Sequence, residues 1–287
     1  MKTYFMPIVG AAAVLCGCAT VKEPAYDTLI AHRGESHDAP ENTLPAYKTA
    51  VERGFGFECD IYLSADKRLF TFHDSDLKRT TAGACTQKCT EASWAETVSK
   101  VNVGGWGKWK GSKFDPTRPA LFSEVLSLAR DGRYVYVEVK GNNPDWVPYI
   151  KAELAQAKNA NPGNVLFISF GDKVCAELKR QLPEYKVYFL TSCRKQKKGA
   201  SRSEWPMWTA DEVVAQLREL GVDGVDIWFD STVVDKAYVD TVKAAGFSFH
   251  VWTIDDPARA QQAFAAGADT LTTNRAKYIL EACQNAN

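Results

Sequence analysis

Short apolar runs and amphipathic stretches alternate along most of the chain. The strand-like runs read TLIAHR, FGFECDIYLS, YVYVEVKG, NVLFISF, KVYFLTS, VDGVDIWF, FSFHVWTI and ADTLTT. Between them, apolar positions recur at helical spacing. In ENTLPAYKTAVERG, Leu44, Tyr47 and Val51 share one face, and ALFSEVLSLARDG and TADEVVAQLRELG carry similar stripes. Several of these stretches end at Gly, as helix C-termini do. Eight strands alternating with helices in one continuous run predict an α/β fold, a (β/α)8 TIM barrel. An open doubly wound sheet is the competitor, but no Gly-rich phosphate loop follows the first strand.

Two stretches interrupt the rhythm. From Ser75 to Pro119 there is little periodicity, and turn formers accompany Cys85, Cys89 and VNVGGWGKW. A segment of that length inside a compact domain is usually functional or locally stapled, so it reads as an insertion at about 75–119, after the second strand. The other is SCRKQKKGASRSEWPMW, after the fifth strand. In a barrel this loop lies at the C-terminal face of the strands, where active sites are built. Its charges read first as a solvated loop.

The first residues do not fit the barrel pattern. MKTYFMPIVGAAAVLCGCAT carries Lys2, then an apolar run from Tyr4 to Leu15 that is too short for a permanent membrane span and fits a secretory signal. Leu15-Cys16-Gly17-Cys18 resembles a bacterial lipobox, with Cys16 an unusual member. That resemblance implies a lipoprotein signal peptide at 1–18, cleavage before Cys18 and lipidation of its sulfur. A plain signal peptide cut at a nearby Ala is the alternative. Ala19 resembles outer-membrane sorting. The organisation expected is therefore signal peptide, linker at 19–27 and barrel at 28–287. The protein is expected to be exported and lipid-anchored in the bacterial cell envelope, at the outer membrane facing the periplasm, with several acyl chains making the anchorage stable.

Composition excludes one class of partner. Among 287 residues, Lys+Arg and Asp+Glu are equal at 35, with a pI near 6.9, so no global field draws the chain to nucleic acid. Beyond the signal region the cysteines are Cys59, Cys85, Cys89, Cys175, Cys193 and Cys283. Export permits oxidation, and Cys85–Cys89 and Cys175–Cys193 are candidate disulfides, although spacing does not fix connectivity. Zinc is discounted because no His or second Cys pair lies near Cys85 and Cys89.

The strand FECDIYL carries the clearest chemistry. Its period of two puts Glu58 and Asp60 on one face and Phe57, Cys59 and Ile61 on the other. Adjacent buried carboxylates resist joint ionisation unless cations neutralise them, and rigid oxygen ligands suit Mg²⁺ or Ca²⁺. Salt bridges to neighbouring bases are the structural alternative. In YVYVEVKG, Glu138 offers a third carboxylate, and Lys140 on the same face can meet a substrate oxyanion or pair with Glu138. His32 and His73 each close a strand-like segment and are candidate proton-transfer groups. Arg33 supplies a fork suited to phosphate. His37 and His250 read as peripheral or structural.

In this order, HRG, PENT, ECD, FHD, EVK and VWT resemble the motifs of glycerophosphodiester phosphodiesterases, a family in the phosphatidylinositol phospholipase C-like superfamily, over about Leu29 to Asn274. The resemblance implies a barrel, with 75–119 as a glycerol-side lid. It also implies metal-dependent hydrolysis of a small glycerophosphodiester to sn-glycerol 3-phosphate and an alcohol. His32 and His73 would be base and acid, Arg33 and Lys140 would hold phosphate, and Glu58, Asp60 and Glu138 would hold one divalent metal ion, Ca²⁺ or Mg²⁺. Glu41 and Asn42 would support the site, and Trp252 would form an aromatic wall. The resemblance further suggests attack by the glycerol 2-hydroxyl. Asp255, Asn274 and Ala276 depart from the family pattern, and they are expected at the rim, affecting substrate preference more than chemistry. Two competing functions remain at this point: a lysophospholipase D or sphingomyelinase D type activity, and a non-catalytic phosphodiester-binding lipoprotein.

Overall fold

In a computed structural model, residues 23–195, 198–199, 201 and 204–285 are described. The expected signal peptide, Cys18 and the start of the linker lie outside the described residues, as do parts of the basic loop. The strands are β1 (Leu29–Ala31), β2 (Gly56–Leu63), β3 (Leu69–Thr71), β4 (Val135–Val139), β5 (Val165–Ser169), β6 (Lys186–Thr191), β7 (Gly224–Trp228), β8 (Ser248–Trp252) and β9 (Thr270–Thr273). All but β3 pair in parallel, and β1 hydrogen-bonds both β2 and β9, which closes an eight-stranded barrel. The helices are α1 (Leu44–Glu52), α2 (Phe122–Leu126), α3 (Val147–Gln156), α4 (Asp172–Gln181), α5 (Ala210–Leu220), α6 (Lys236–Ala244), α7 (Pro257–Ala266) and α8 (Ala276–Gln284). One helix precedes each return to the barrel, giving the expected (β/α)8 order.

Alternation along the strands builds two separate cores. In β4, Val135, Val137 and Val139 face outward into the large helix-covered core, whereas Tyr136 faces inward. In β5, Val165 and Phe167 face out while Leu166 and Ile168 face in. Ile30, Tyr188 and Leu190 complete the inner packing. This inner layer plugs the barrel below its C-terminal rim, so polar inward residues farther along the strands collect above a dry floor.

Three details differ from the sequence pattern. The run leading to His73 forms an extra strand, β3, antiparallel to the end of β2, with Ile61 opposite Thr71. This hairpin, rather than a second helix, follows β2 and carries the chain into the 75–119 segment, which packs Leu77, Cys89, Val98 and Val103 against the barrel. Second, α2 ends at Leu126, because Leu128 and Ala129 donate to Val125 and Leu126 in a tightening turn. Third, neither expected disulfide forms. Cys89 Sγ donates to the Asp74 carbonyl at 3.2 Å and Cys175 Sγ to the Ser169 carbonyl at 3.4 Å, so each acts as a buried thiol satisfied by backbone. No helix among the described residues is long and apolar enough to cross a membrane.

Candidate active site

The end of β1 is shaped by backbone conformation. Gly34 has φ +77°, and a Cβ there would lie 2.5 Å from the backbone carbon of Ala46 in α1, so only glycine permits this approach. Arg33 also adopts positive φ, +56°. Its N–H donates to Glu58 Oε2 at 2.8 Å, which ties the turn to the acidic strand. Its guanidinium donates to Glu41 Oε1 at 2.9 Å and lies 3.4 Å from Asp60 Oδ2. Glu41 is gripped from the other side by Arg79, through Nη1 at 2.9 Å and Nη2 at 2.7 Å. Arg79 also holds Asp74 at 2.6 Å, and Asp74 Oδ1 meets His73 Nδ1 at 2.8 Å. One continuous ionic chain therefore runs from Arg33 to His73. Glu41 bridges two bases in it, and Arg79, unremarked in the sequence, is the link.

Asn42 orients the acids. It donates to Asp60 Oδ2 at 2.7 Å, while its own carbonyl oxygen accepts from Tyr47 Oη at 2.8 Å and from Asp60 N at 3.1 Å. Thr71 Oγ1 fixes the Asn42 backbone carbonyl at 2.8 Å. The PENT turn is thus held by β2, β3 and α1 together.

His32 Nδ1 lies 2.7 Å from Asn274 Oδ1. The Asn274 amide donates to Asp255 Oδ2 at 2.6 Å, which fixes its oxygen toward the imidazole, and its backbone N–H donates to Asp255 Oδ1 at 2.8 Å. His32 must then carry its proton on Nδ1, leaving Nε2 as the acceptor toward the cavity. Burial, reinforced by the Arg33 cation, depresses its pKa to about 4, so the ring is neutral. Asp255 and Asn274, half-buried just past the ends of β8 and β9, therefore lie at the rim as expected but act on the chemistry rather than on substrate preference alone. They lock the tautomer of a site imidazole.

The two rings open on one cavity of about 260 Å³, lined by Arg33, Glu58, Glu138, Lys140, Trp252 and Asp226 among others. Its apolar side is Ile168, Phe170, Leu190 and Trp252, with the Phe170 and Trp252 rings edge-on at 5.8 Å. His37 is exposed and paired with Asp38 at 2.8 Å, outside this cavity. His250 is fully buried beneath it.

A family model described as the Glycerophosphoryl diester phosphodiesterase family matches residues 32–277, the span that contains every group just described. The chain belongs to this family. It is accordingly a phosphodiesterase by class. Among relatives, it is 28% identical over 256 residues to the glycerophosphodiester phosphodiesterase of Caldanaerobacter subterraneus subsp. tengcongensis, covering 88% of this chain and 96% of the relative. It is 24% identical over 257 residues to a Bacillus subtilis glycerophosphodiester phosphodiesterase, covering 85% and 82%. Among solved structures, an Oleispira antarctica phosphodiesterase in complex with sn-glycerol-3-phosphate superposes with a TM-score of 0.73 at 24% identity, covering 90% of this chain and 96% of that one.

In this phosphodiesterase family member, Glu58, Asp60 and Glu138 each present an oxygen within 4.8 Å of the others, all buried. Burial, then the neighbouring Asp60 and Glu138, raise the Glu58 pKa well above the usual carboxylate range. Burial also works against ionisation of Asp60, but Lys140 and Arg33 outweigh it and hold that group well below its ordinary value. Lys140 bridges Asp60 at 2.9 Å and Glu138 at 2.8 Å. Glu58 Oε1 has no hydrogen-bond partner among the described residues. Three gathered hard-oxygen donors, with Glu58 Oε1 unpaired, fit a divalent cation, which would offset the penalty that burial and the neighbouring acids place on ionising Glu58.

Proposed function

We propose that the protein hydrolyses glycerophosphodiesters to sn-glycerol 3-phosphate and an alcohol. One observation carries this reading: two imidazoles, each with Nδ1 pinned to an oxygen, face a cavity lined by Glu58, Glu138, Arg33 and Lys140, with Asp60 gathered against both acids. The sn-glycerol-3-phosphate bound to the Oleispira antarctica phosphodiesterase names a product that this constellation suits.

The residues divide the work by their partners. Neutral His32, with Nε2 unprotonated, accepts the proton of the attacking hydroxyl: that of water directly, or the glycerol 2-hydroxyl, in which case a water molecule then opens the resulting cyclic phosphate to sn-glycerol 3-phosphate. Burial lowers the His73 pKa, and the neighbouring Asp60 and the hydrogen bond from Nδ1 to anionic Asp74 work against that, supporting the imidazolium form. His73 donates from Nε2 to the departing alkoxide as the phosphorus–oxygen bond to the alcohol breaks and the new one forms. Arg33 and Lys140 receive the non-bridging phosphoryl oxygens. A Mg²⁺ or Ca²⁺ ion held by Glu58, Asp60 and Glu138 would add Lewis acidity toward those oxygens. A non-catalytic binding role is disfavoured because no member of the set is missing.

Wild-type protein incubated with sn-glycero-3-phosphocholine is expected to release sn-glycerol 3-phosphate. Chelation should lower the rate at least about ten-fold, and added Mg²⁺ or Ca²⁺ should restore it. Absence of that product, or a strong preference for lysophosphatidylcholine, would overturn the reading.

We further propose that the protein is exported and anchored through lipid on Cys18, on the strength of the lipobox-like sequence alone. Expressed with labelled fatty acid, the wild-type chain should take up label and partition with membranes. A Cys18→Ala chain that does both equally well rules this out.

A further inference from the structure

Asp226 of β7 is the one acid of the cavity wall that the mechanism above does not use. Its side chain is 1% exposed, yet it lines the same cavity as His32, Glu138 and Trp252. Neither carboxyl oxygen has a hydrogen-bond partner among the described residues. The nearest base, His250 Nε2, is 3.7 Å away and is already engaged by Thr272 Oγ1 at 2.8 Å. His250 Nδ1 is engaged by Thr270 Oγ1, which also meets Tyr136 Oη at 2.8 Å. The polar groups under the floor are thus satisfied among themselves, and Asp226 is left out of their network.

A buried carboxyl with both oxygens unpaired costs stability, and such groups in native proteins usually answer to a ligand or a mechanism. Burial, with Glu138 nearby, pushes the Asp226 pKa well above the ordinary carboxylate range. Burial thus favours its protonated form, and a carboxyl aimed into a cavity with both oxygens free can accept a hydrogen bond and, in that form, donate one. That pairing complements an alcohol hydroxyl, which has the same dual character. It does not complement a phosphate, which seeks cations, or a quaternary ammonium, which seeks aromatic faces.

The layout of the cavity says which hydroxyl. Arg33 and Lys140 mark the phosphate position, and Ile168, Leu190 and Trp252 make an apolar side along which a carbon skeleton can lie. In the barrel registers, Asp226 is level with Leu190 on one side and with His250 on the other, below the Trp228–Trp252 level. A glyceryl group with its phosphate at the cations and its carbons along that wall presents its terminal hydroxyl to the floor.

Resting on the proposed activity, and adding a specificity element to it, we infer that Asp226 hydrogen-bonds the free terminal hydroxyl of the glyceryl group and so selects deacylated substrates. A site built around a hydroxyl discriminates strongly against an analogue that lacks it, because its own polar group is then left unpaired.

The test is a cycle between residue and substrate. Rates are measured on sn-glycero-3-phosphocholine and on its analogue with the terminal CH₂OH replaced by CH₃, which keeps the 2-hydroxyl. Wild-type protein should favour the parent at least about 30-fold in kcat/KM. Asp226→Leu should bring that ratio to within about three of unity, with the loss falling mainly on KM for the parent, whereas Asp226→Asn should keep a ratio of at least about ten. Asp226→Leu should also raise Tm, since it removes an unpaired buried carboxyl, and Asp226→Ala supplies the same ratio should the Leu chain misfold. An unchanged ratio in the Leu or Ala variant overturns the inference while leaving the activity standing. A lowered Tm with parallel losses on both substrates does the same, by making Asp226 structural. No turnover of the parent by wild type sinks the proposed activity and this inference together.

Discussion

His73→Ala is expected to lower kcat on sn-glycero-3-phosphocholine by ~10²–10⁴, the range typical for losing a positioned proton-transfer group. The fold should survive. His73 is one-third exposed at its side chain and leans on Asp74, which keeps two contacts to Arg79 when the ring is gone. Circular dichroism and Tm should therefore be nearly unchanged while turnover collapses. The loss should also depend on the leaving group. If His73 protonates the departing alkoxide, a substrate with a p-nitrophenolate leaving group needs little protonation and should lose far less rate. Equal losses on choline and p-nitrophenol esters would move His73 out of the acid role, and undiminished release of sn-glycerol 3-phosphate would remove it from catalysis.

Much of this site was legible because a barrel strand is read two residues at a time. Glu58 and Asp60, and Glu138 and Lys140, share inward faces by alternation alone, and the structure brings Asp60 level with Glu138 between paired strands. Asp226 follows the same rule inside VDGVDIWF, and an acid on the inward face of an apolar strand is the signal that would have found it. What periodicity does not encode is who stands opposite whom after closure. Asn274 is 242 residues from His32 along the chain, and the two meet only because β9 returns to pair with β1. Reading Asn274 and Asp255 as affecting substrate preference more than chemistry therefore followed from their place near the ends of strands, without the neighbour that gives them a role. Arg79 escaped for a related reason. It lies in the aperiodic segment, and only the fold of that segment carries it back to Glu41. The cysteines erred in the opposite direction: proximity in sequence suggested cross-links, but backbone carbonyls already satisfy Cys89 and Cys175.

Asn274→Ala should cost about 10²-fold in kcat, without direct contact between Asn274 and the reacting atoms. Asn274 is a positioning residue. Its amide is fixed by Asp255, and its oxygen holds the His32 proton on Nδ1, so the variant frees the ring to populate the tautomer whose Nε2 is protonated and cannot accept. A purely structural loss would lower kcat at every pH alike, so the discriminating variant is Asn274→Asp. A carboxylate at that position keeps an acceptor for Nδ1 but favours the imidazolium, raising the His32 pKa from about 4. Because His32 works as the unprotonated base, activity is present above its pKa and lost as pH falls through it. The acidic limb of the kcat/KM profile should therefore move to higher pH in Asn274→Asp, with the rate at pH 8 recovering most of what Asn274→Ala loses. A limb that stays in place, or an Asp variant no better than Ala at high pH, would show that Asn274 shapes the barrel end rather than the imidazole.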